Sequence, residues 1–160
     1  MKLNENPQPI IDHREYKISP INIDNNDTKS DILVFFENEL DFQIFNIDSY
    51  KKVYCILLSN EERQVKLGNK VLEYKKNLIK NQVQNSDLTI EFIEGKKFIE
   101  LSNNKKSLEV IYPSVGENMS FLKRIIKKNN LNINYLNRAE DKYCWQFANK
   151  GYFNFKTNIP

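Results

Sequence analysis

Histidine, cysteine, glycine and alanine are scarce in this sequence, and each scarcity removes a class of chemistry. His13 is the single histidine in 160 residues. It lies in Ile11-Asp-His-Arg-Glu15, where Asp12 could orient an imidazole base, but no nucleophile or metal partner is signalled. An exposed or merely hydrogen-bonded histidine is expected there. Cys55 and Cys144 are the only cysteines. Two cysteines build no disulfide framework, and both sit among apolar residues, as small buried hydrophobes do. One histidine with two distant cysteines has no zinc-ligand spacing. The glycines, Gly68, Gly95, Gly116 and Gly151, are scattered. They form neither a phosphate loop nor a dinucleotide fingerprint. No Ser-His-Asp or Cys-His arrangement stands out. No cofactor and no metal is therefore expected.

Long apolar runs are also missing. Nothing approaches the roughly 18 residues of a membrane span, and MKLNENPQPIID has no apolar signal core. A cytoplasmic protein without membrane contact is expected. Alanine occurs only at Ala139 and Ala148, while Ile, Asn and Lys abound. Their A/T-rich codons point to an AT-rich bacterium or a mobile element. A strong charge of either sign is absent too. With 24 cationic and 21 anionic side chains, the net charge is +3. A dedicated nucleic-acid binder is usually more lopsided, and a nucleic-acid mimic would be strongly acidic.

What is present suits one soluble domain. Hydrophobic residues make up 40% and charged residues 28%, and a chain of this length buries roughly 70% of its unfolded surface. Pro7, Pro9 and Pro20 mark residues 1–30 as a polar N-terminal arm with room for one edge strand. Residues 31–160 read as a single α+β domain. Strands are expected at 32–36, 41–45 and 53–58, the first apolar on both faces. Ser59 and Glu62 have capping-box spacing and predict a helix running to about residue 84, with Gly68 inside it. Strands at 88–93 and 97–101, joined by a Glu94-Gly95 turn, and at 107–112 follow. Ser114 with Glu117 predicts a second helix carrying Met119, Leu122, Ile125 and Ile126 inward, and Asn129-Asn130 suits a left-handed cap. A short strand at 131–135 comes next. This order predicts a largely antiparallel sheet of about six strands in two three-stranded meanders. Each meander is followed by a helix packing on one face.

The densest chemical signal is the C-terminal aromatic segment. Tyr143, Trp145, Phe147, Tyr152, Phe153 and Phe155 are interleaved with Lys142, Lys150 and Lys156. Caps at Asn137, Glu140 and Gly151 favour a helix over 138–150 rather than a hairpin. The leading functional reading is a small non-catalytic protein–protein interaction module, such as an immunity, inhibitor or defence-accessory protein. Trp145, Tyr152 and Phe153 would anchor the partner, with Lys142 and Lys150 on the rim. The alternative is nucleic-acid binding through the basic face Lys123, Arg124, Lys127 and Lys128, with Arg138 and the aromatic tail. A third reading is a metal-dependent nuclease, with Asp87, Glu91 and Glu100 on a hairpin beside Lys96 or Lys97. The same carboxylates are also what solvent faces of alternating strands carry.

Overall fold

The structure is a computed structural model that describes residues 30–39, 41–84, 90–103, 107–147 and 156–157. The polar arm, apart from Ser30, lies outside the described residues.

The sheet corrects the expected topology. It has five strands, β1 (Ile32–Phe36), β2 (Lys52–Leu57), β3 (Ile90–Glu94), β4 (Ser107–Ile111) and β5 (Asn132–Leu136). Their order is β3-β2-β1-β4-β5 and every pairing is parallel. No antiparallel meander forms among the described residues. The physical reason lies in the strands themselves. Leu33, Val34, Phe35 and Phe36 are all buried, as are Val53 to Ile56 and Leu108 to Ile111. Strands apolar on both faces need cover on both, which parallel crossovers supply.

Cover comes from two sides rather than one. On one face, α1 (Asn69–Gln84) and two short 3₁₀ turns, Phe42–Ile44 and Ile47–Ser49, pack Ile79, Phe42 and Ile47 on Leu33, Phe35, Val53 and Cys55. On the other, α2 (Gly95–Asn103) and α3 (Glu117–Asn129) pack Phe98, Phe121, Leu122 and Ile125 on Val34, Phe36, Ile56 and Val110. The rings of Phe121 and Phe36 meet edge to face at 6.3 Å. A last helix, α4 (Ala139–Trp145), follows β5.

Three segments expected as extended or helical differ for local reasons. Residues 42–44 form a 3₁₀ turn, because parallel neighbours β1 and β2 need a crossover of about a dozen residues, not a hairpin. Residues 97–101 belong to α2. Phe98 and Ser102 are buried one turn apart, so the period is helical although Phe98 to Leu101 also alternates crudely. At 59–62 only half of the capping box forms, the Glu62 N–H going to the Ser59 backbone carbonyl rather than to its hydroxyl, and no helix follows. Glu62 Oε2 accepts the Ser59 N–H and hydroxyl, each at 2.7 Å, within a loop that runs to Gly68. Gly68 precedes α1, its carbonyl accepting from Val71 and Leu72.

The remaining expectations are met more closely. α3 buries Met119, Leu122 and Ile125, half-buries Ile126, and ends at Asn130 in the left-handed conformation. Its start is not a Ser114 cap: the N-cap is Gly116 at φ 128°, without a side-chain bond. α4 confirms a helix in the early aromatic segment, and positions beyond Phe147, including Gly151, lie outside the described residues apart from Lys156 and Thr157. No helix of the described residues is long and apolar enough to cross a membrane.

Gly95 sits in a close approach of three elements. A Cβ there would sit 2.7 Å from the Glu62 carboxyl and 2.9 Å from Phe121 Cζ. Glu62 is tied to Ser59 and Phe121 is buried, so neither moves freely. Gly95→Ala should therefore destabilise the chain by about 1–3 kcal/mol, the usual cost of overpacking. Denaturant melts of the two proteins check this.

Candidate functional site

Strand order defines one special place. The chain leaves β1 toward the α1 face and leaves β4 toward the α3 face, and these two strands are neighbours. Ligand crevices of parallel sheets lie outside the carboxyl ends of strands, at such a reversal. Here that end holds Glu37-Asn38-Glu39 after β1, the 59–68 loop after β2, residues 112–116 after β4, and Asn137-Arg138 after β5.

Arg63 organises it. The guanidinium is almost wholly buried, with its side chain 4% exposed, and the Glu37 side chain beside it is 1% exposed. Nη2 donates to Glu37 Oε1. Nη1 donates to Glu117 Oε2 at 2.9 Å, and Nε to the Leu58 carbonyl at 3.1 Å. Lys75 of α1 adds a second cation 3.7 Å from Glu37 Oε1. One side chain thus ties the ends of β1 and β2 to the first turn of α3. The other carboxyl oxygen of Glu117 accepts the Val65 N–H at 2.9 Å. That backbone donor, followed by Arg63, holds the Glu117 carboxyl below its ordinary range.

These bonds also fix the 59–68 loop. Asn60 closes it, donating to the Leu67 carbonyl and accepting the Leu67 N–H, both at 2.9 Å. With Ser59 bound to Glu62 and Val65 bound to Glu117, the loop is pinned along its length. Across the reversal, Asn38 donates to the Pro113 carbonyl at 3.3 Å and accepts from Asn118 at 2.8 Å. Arg138 pairs with Glu39.

On this pinned base stand exposed apolar side chains. Val115 is 89% exposed and Val65 68%. Val71 and Tyr74, one turn apart in the first half of α1, are exposed as well, and so is Tyr143 of α4. Ser114, beside Val115, is held at φ 59°, a left-handed conformation rare for a residue with a side chain.

The residues singled out from the sequence fall in separate places. Trp145 is half-buried, its indole edge-to-face on Tyr112 at 5.3 Å. Lys142 is exposed. Tyr152, Phe153 and Lys150 lie outside the described residues. Lys123, Arg124, Lys127 and Lys128 are all exposed on α3, whereas Arg138 sits at the carboxyl end of β5 in its pair with Glu39. Helix α3 runs back toward the amino ends of the strands, so Lys127 and Lys128 lie away from Arg138. The hairpin expected to hold Glu91 and Glu100 does not exist: Glu91 is on β3 and Glu100 on α2, both exposed, like Lys96. Glu91 is paired with Lys97, and Asp87 lies outside the described residues. No group of three or more metal-ligating side chains occurs among the described residues.

The cysteines are free, Cys55 buried and Cys144 half-buried. Burial first, and then the Glu37 charge, push the Cys55 thiol well above its ordinary range, which keeps it neutral and inert.

Comparison with protein-family models, with curated proteins and with solved structures finds no match to the chain.

Proposed function

We propose that the chain is a non-catalytic protein-binding module that meets its partner with the loops at the carboxyl ends of the strands. One observation carries this reading: Val65, Val115, Val71 and Tyr74 are exposed on a base held together by the internally paired Arg63, Glu37, Glu117 and Lys75. Glu37 and Glu117 are taken by Arg63, and Glu39 by Arg138. These groups fasten loops and are poorly placed for acid–base work. Apolar side chains on a pre-fixed loop lose little entropy on docking, which favours tight association. A small immunity, inhibitor or defence-accessory protein fits such a surface.

Affinity capture from host lysate, with quantitative mass spectrometry, tests the reading. Wild type and a Lys123→Glu/Lys127→Glu variant should enrich the same protein. A Val115→Glu/Tyr74→Glu variant of unchanged melting temperature should retain about a tenth or less of it, the loss expected from hot-spot positions. Equal recovery by all three proteins would rule this surface out.

A second reading keeps a specific observation of its own. Lys123, Arg124, Lys127 and Lys128 form an exposed basic stripe on one helix. Nucleic-acid binding there should weaken steeply with salt and disappear in the charge-reversed variant. Binding unchanged between 50 and 200 mM salt, roughly the range over which phosphate contacts weaken strongly, would remove it.

A further inference from the structure

The amino end of the sheet holds a different feature. Helix α2 is only nine residues long, roughly 13 Å at the usual helical rise. Yet it must serve the crossover from β3, on one edge, past β2 and β1 to β4. It covers that face incompletely. A cavity of about 190 Å³ remains between α2 and the amino ends of β1, β2 and β4.

Its chemistry is asymmetric. The floor is Val34, Tyr54 and Leu108, and α2 supplies Phe98 and Leu101 as a wall. At the mouth stand Asp31, Lys51 and Lys52. Lys51 is committed to Asp31 at 2.6 Å. Lys52 is exposed and forms no ion pair with the described residues. The lining beyond the mouth is therefore apolar apart from the Tyr54 hydroxyl, and the entrance carries one cation uncommitted among the described residues.

We propose that this cavity binds a small amphiphilic anion, a flat aromatic or branched aliphatic carboxylate of about ten non-hydrogen atoms. An apolar cavity of about 150 Å³ holds benzene, so this one admits a ring. Lys52 then meets the carboxylate at the mouth, where an ammonium on a flexible stem reaches a partly solvated anion. A cationic ligand would face Lys52 directly and is disfavoured. The proposal is independent of the protein-binding surface, which lies at the opposite end of the strands.

Titration of the ¹⁵N-labelled full chain with 3-phenylpropionate and with 3-phenylpropanol tests it. Saturable shifts should centre on the amides of Tyr54, Phe98 and Leu108. The carboxylate should bind about five-fold more tightly than the alcohol, the scale of one exposed ion pair. Lys52→Gln should remove that preference and leave the alcohol unaffected. Leu101→Trp, which fills the cavity, should abolish both interactions. Because Lys52 is exposed, its variant keeps the test valid even if Leu101→Trp fails to fold. Absence of saturation, shifts centred elsewhere, or a carboxylate preference that survives Lys52→Gln would overturn the proposal.

Discussion

Replacing Arg63 with methionine should lower the melting temperature by about 10 °C, the largest effect expected from any single polar substitution among the described residues. Removing one partner of a buried ion pair costs about 3–5 kcal/mol, because the other charge stays buried alone. For a domain of this size each kcal/mol shifts melting by roughly 2–4 °C. Glu37 is the charge left behind. Its Oε2 already lacks a partner in the described structure, and Lys75, 3.7 Å from Oε1, would be the only cation still near it among the described residues. Lysine at position 63 should not rescue the loss. An ammonium cannot reach Glu37, Glu117 and the Leu58 carbonyl together from one planar group. The double variant Arg63→Met/Glu37→Gln should recover a large part, since it removes the stranded charge. Equal melting of Arg63→Met and its double variant would show that Glu37 is not the origin of the penalty.

Acid should act through the same contact. The Glu117 carboxyl is held below its ordinary range, first by the Val65 N–H and then by Arg63. A depressed carboxyl stabilises the folded chain above its unfolded value, about 4.3. That contribution fades as pH falls through the folded value. Glu117→Gln should therefore flatten the acid limb of a stability–pH curve below about pH 4 and leave its neutral region with a uniform offset.

Five strand positions were legible in the sequence, but 41–45 and 97–101 are not strands, and strand direction was read wrongly because turn chemistry outweighed the apolar runs. Ile32-Leu-Val-Phe-Phe36 has no polar alternation, and a strand buried on both faces is what a parallel sheet contains. The Glu-Asn-Glu and Glu-Gly segments look like hairpin turns because turn residues also begin crossovers. Residues 97–101 were ambiguous at the level of physics. Phe98, Ile99 and Leu101 satisfy a helical stripe and a broken alternation equally well in so short a window. The carboxyl-end cluster was barely visible. Arg63 lies in a loop without period, and Glu37 and Glu39 read as turn residues. Glu62 and Glu117 have the spacing of cap residues. Glu62 does make the local bond, whereas Glu117 is drawn to Arg63 and Val65. Which of the two a glutamate does depends on a cation distant in sequence, and local spacing cannot encode that.

The second large effect is expected at Tyr50. Glu109 is buried in the middle of β4, in register with Leu33 of β1 and Asn134 of β5. It forms no ion pair with the described residues. Its carboxylate is held by neutral donors instead: the Tyr50 hydroxyl on Oε2, and Asn134 Nδ2 on Oε1 at 3.1 Å. A hydrogen bond to a charged group contributes about 1.5–3 kcal/mol, and a buried acceptor left empty carries the full desolvation penalty. Tyr50→Phe should lose about that amount. Glu109→Gln should cost much less. A glutamine amide can still accept from one neighbour and can donate to Asn134 Oδ1, which has no partner now. Alkali separates this network from generic packing. Burial first, and then Glu109, raise the Tyr50 hydroxyl above its ordinary value, and burial does the same for Tyr112 and Tyr135. A raised folded value gives stability that is complete below the unfolded value, about 10. It is lost as pH climbs toward the folded value, because the unfolded chain releases its proton first. Stability should therefore fall above about pH 10 in the wild type. It should fall less steeply in Tyr50→Phe, with Tyr112 and Tyr135 supplying the slope that remains. Urea melts at pH 8 and pH 10.5 on both proteins measure the difference. Identical slopes would mean that Tyr50 ionises in the folded chain as it does in the unfolded one, and that Glu109 is not its acceptor.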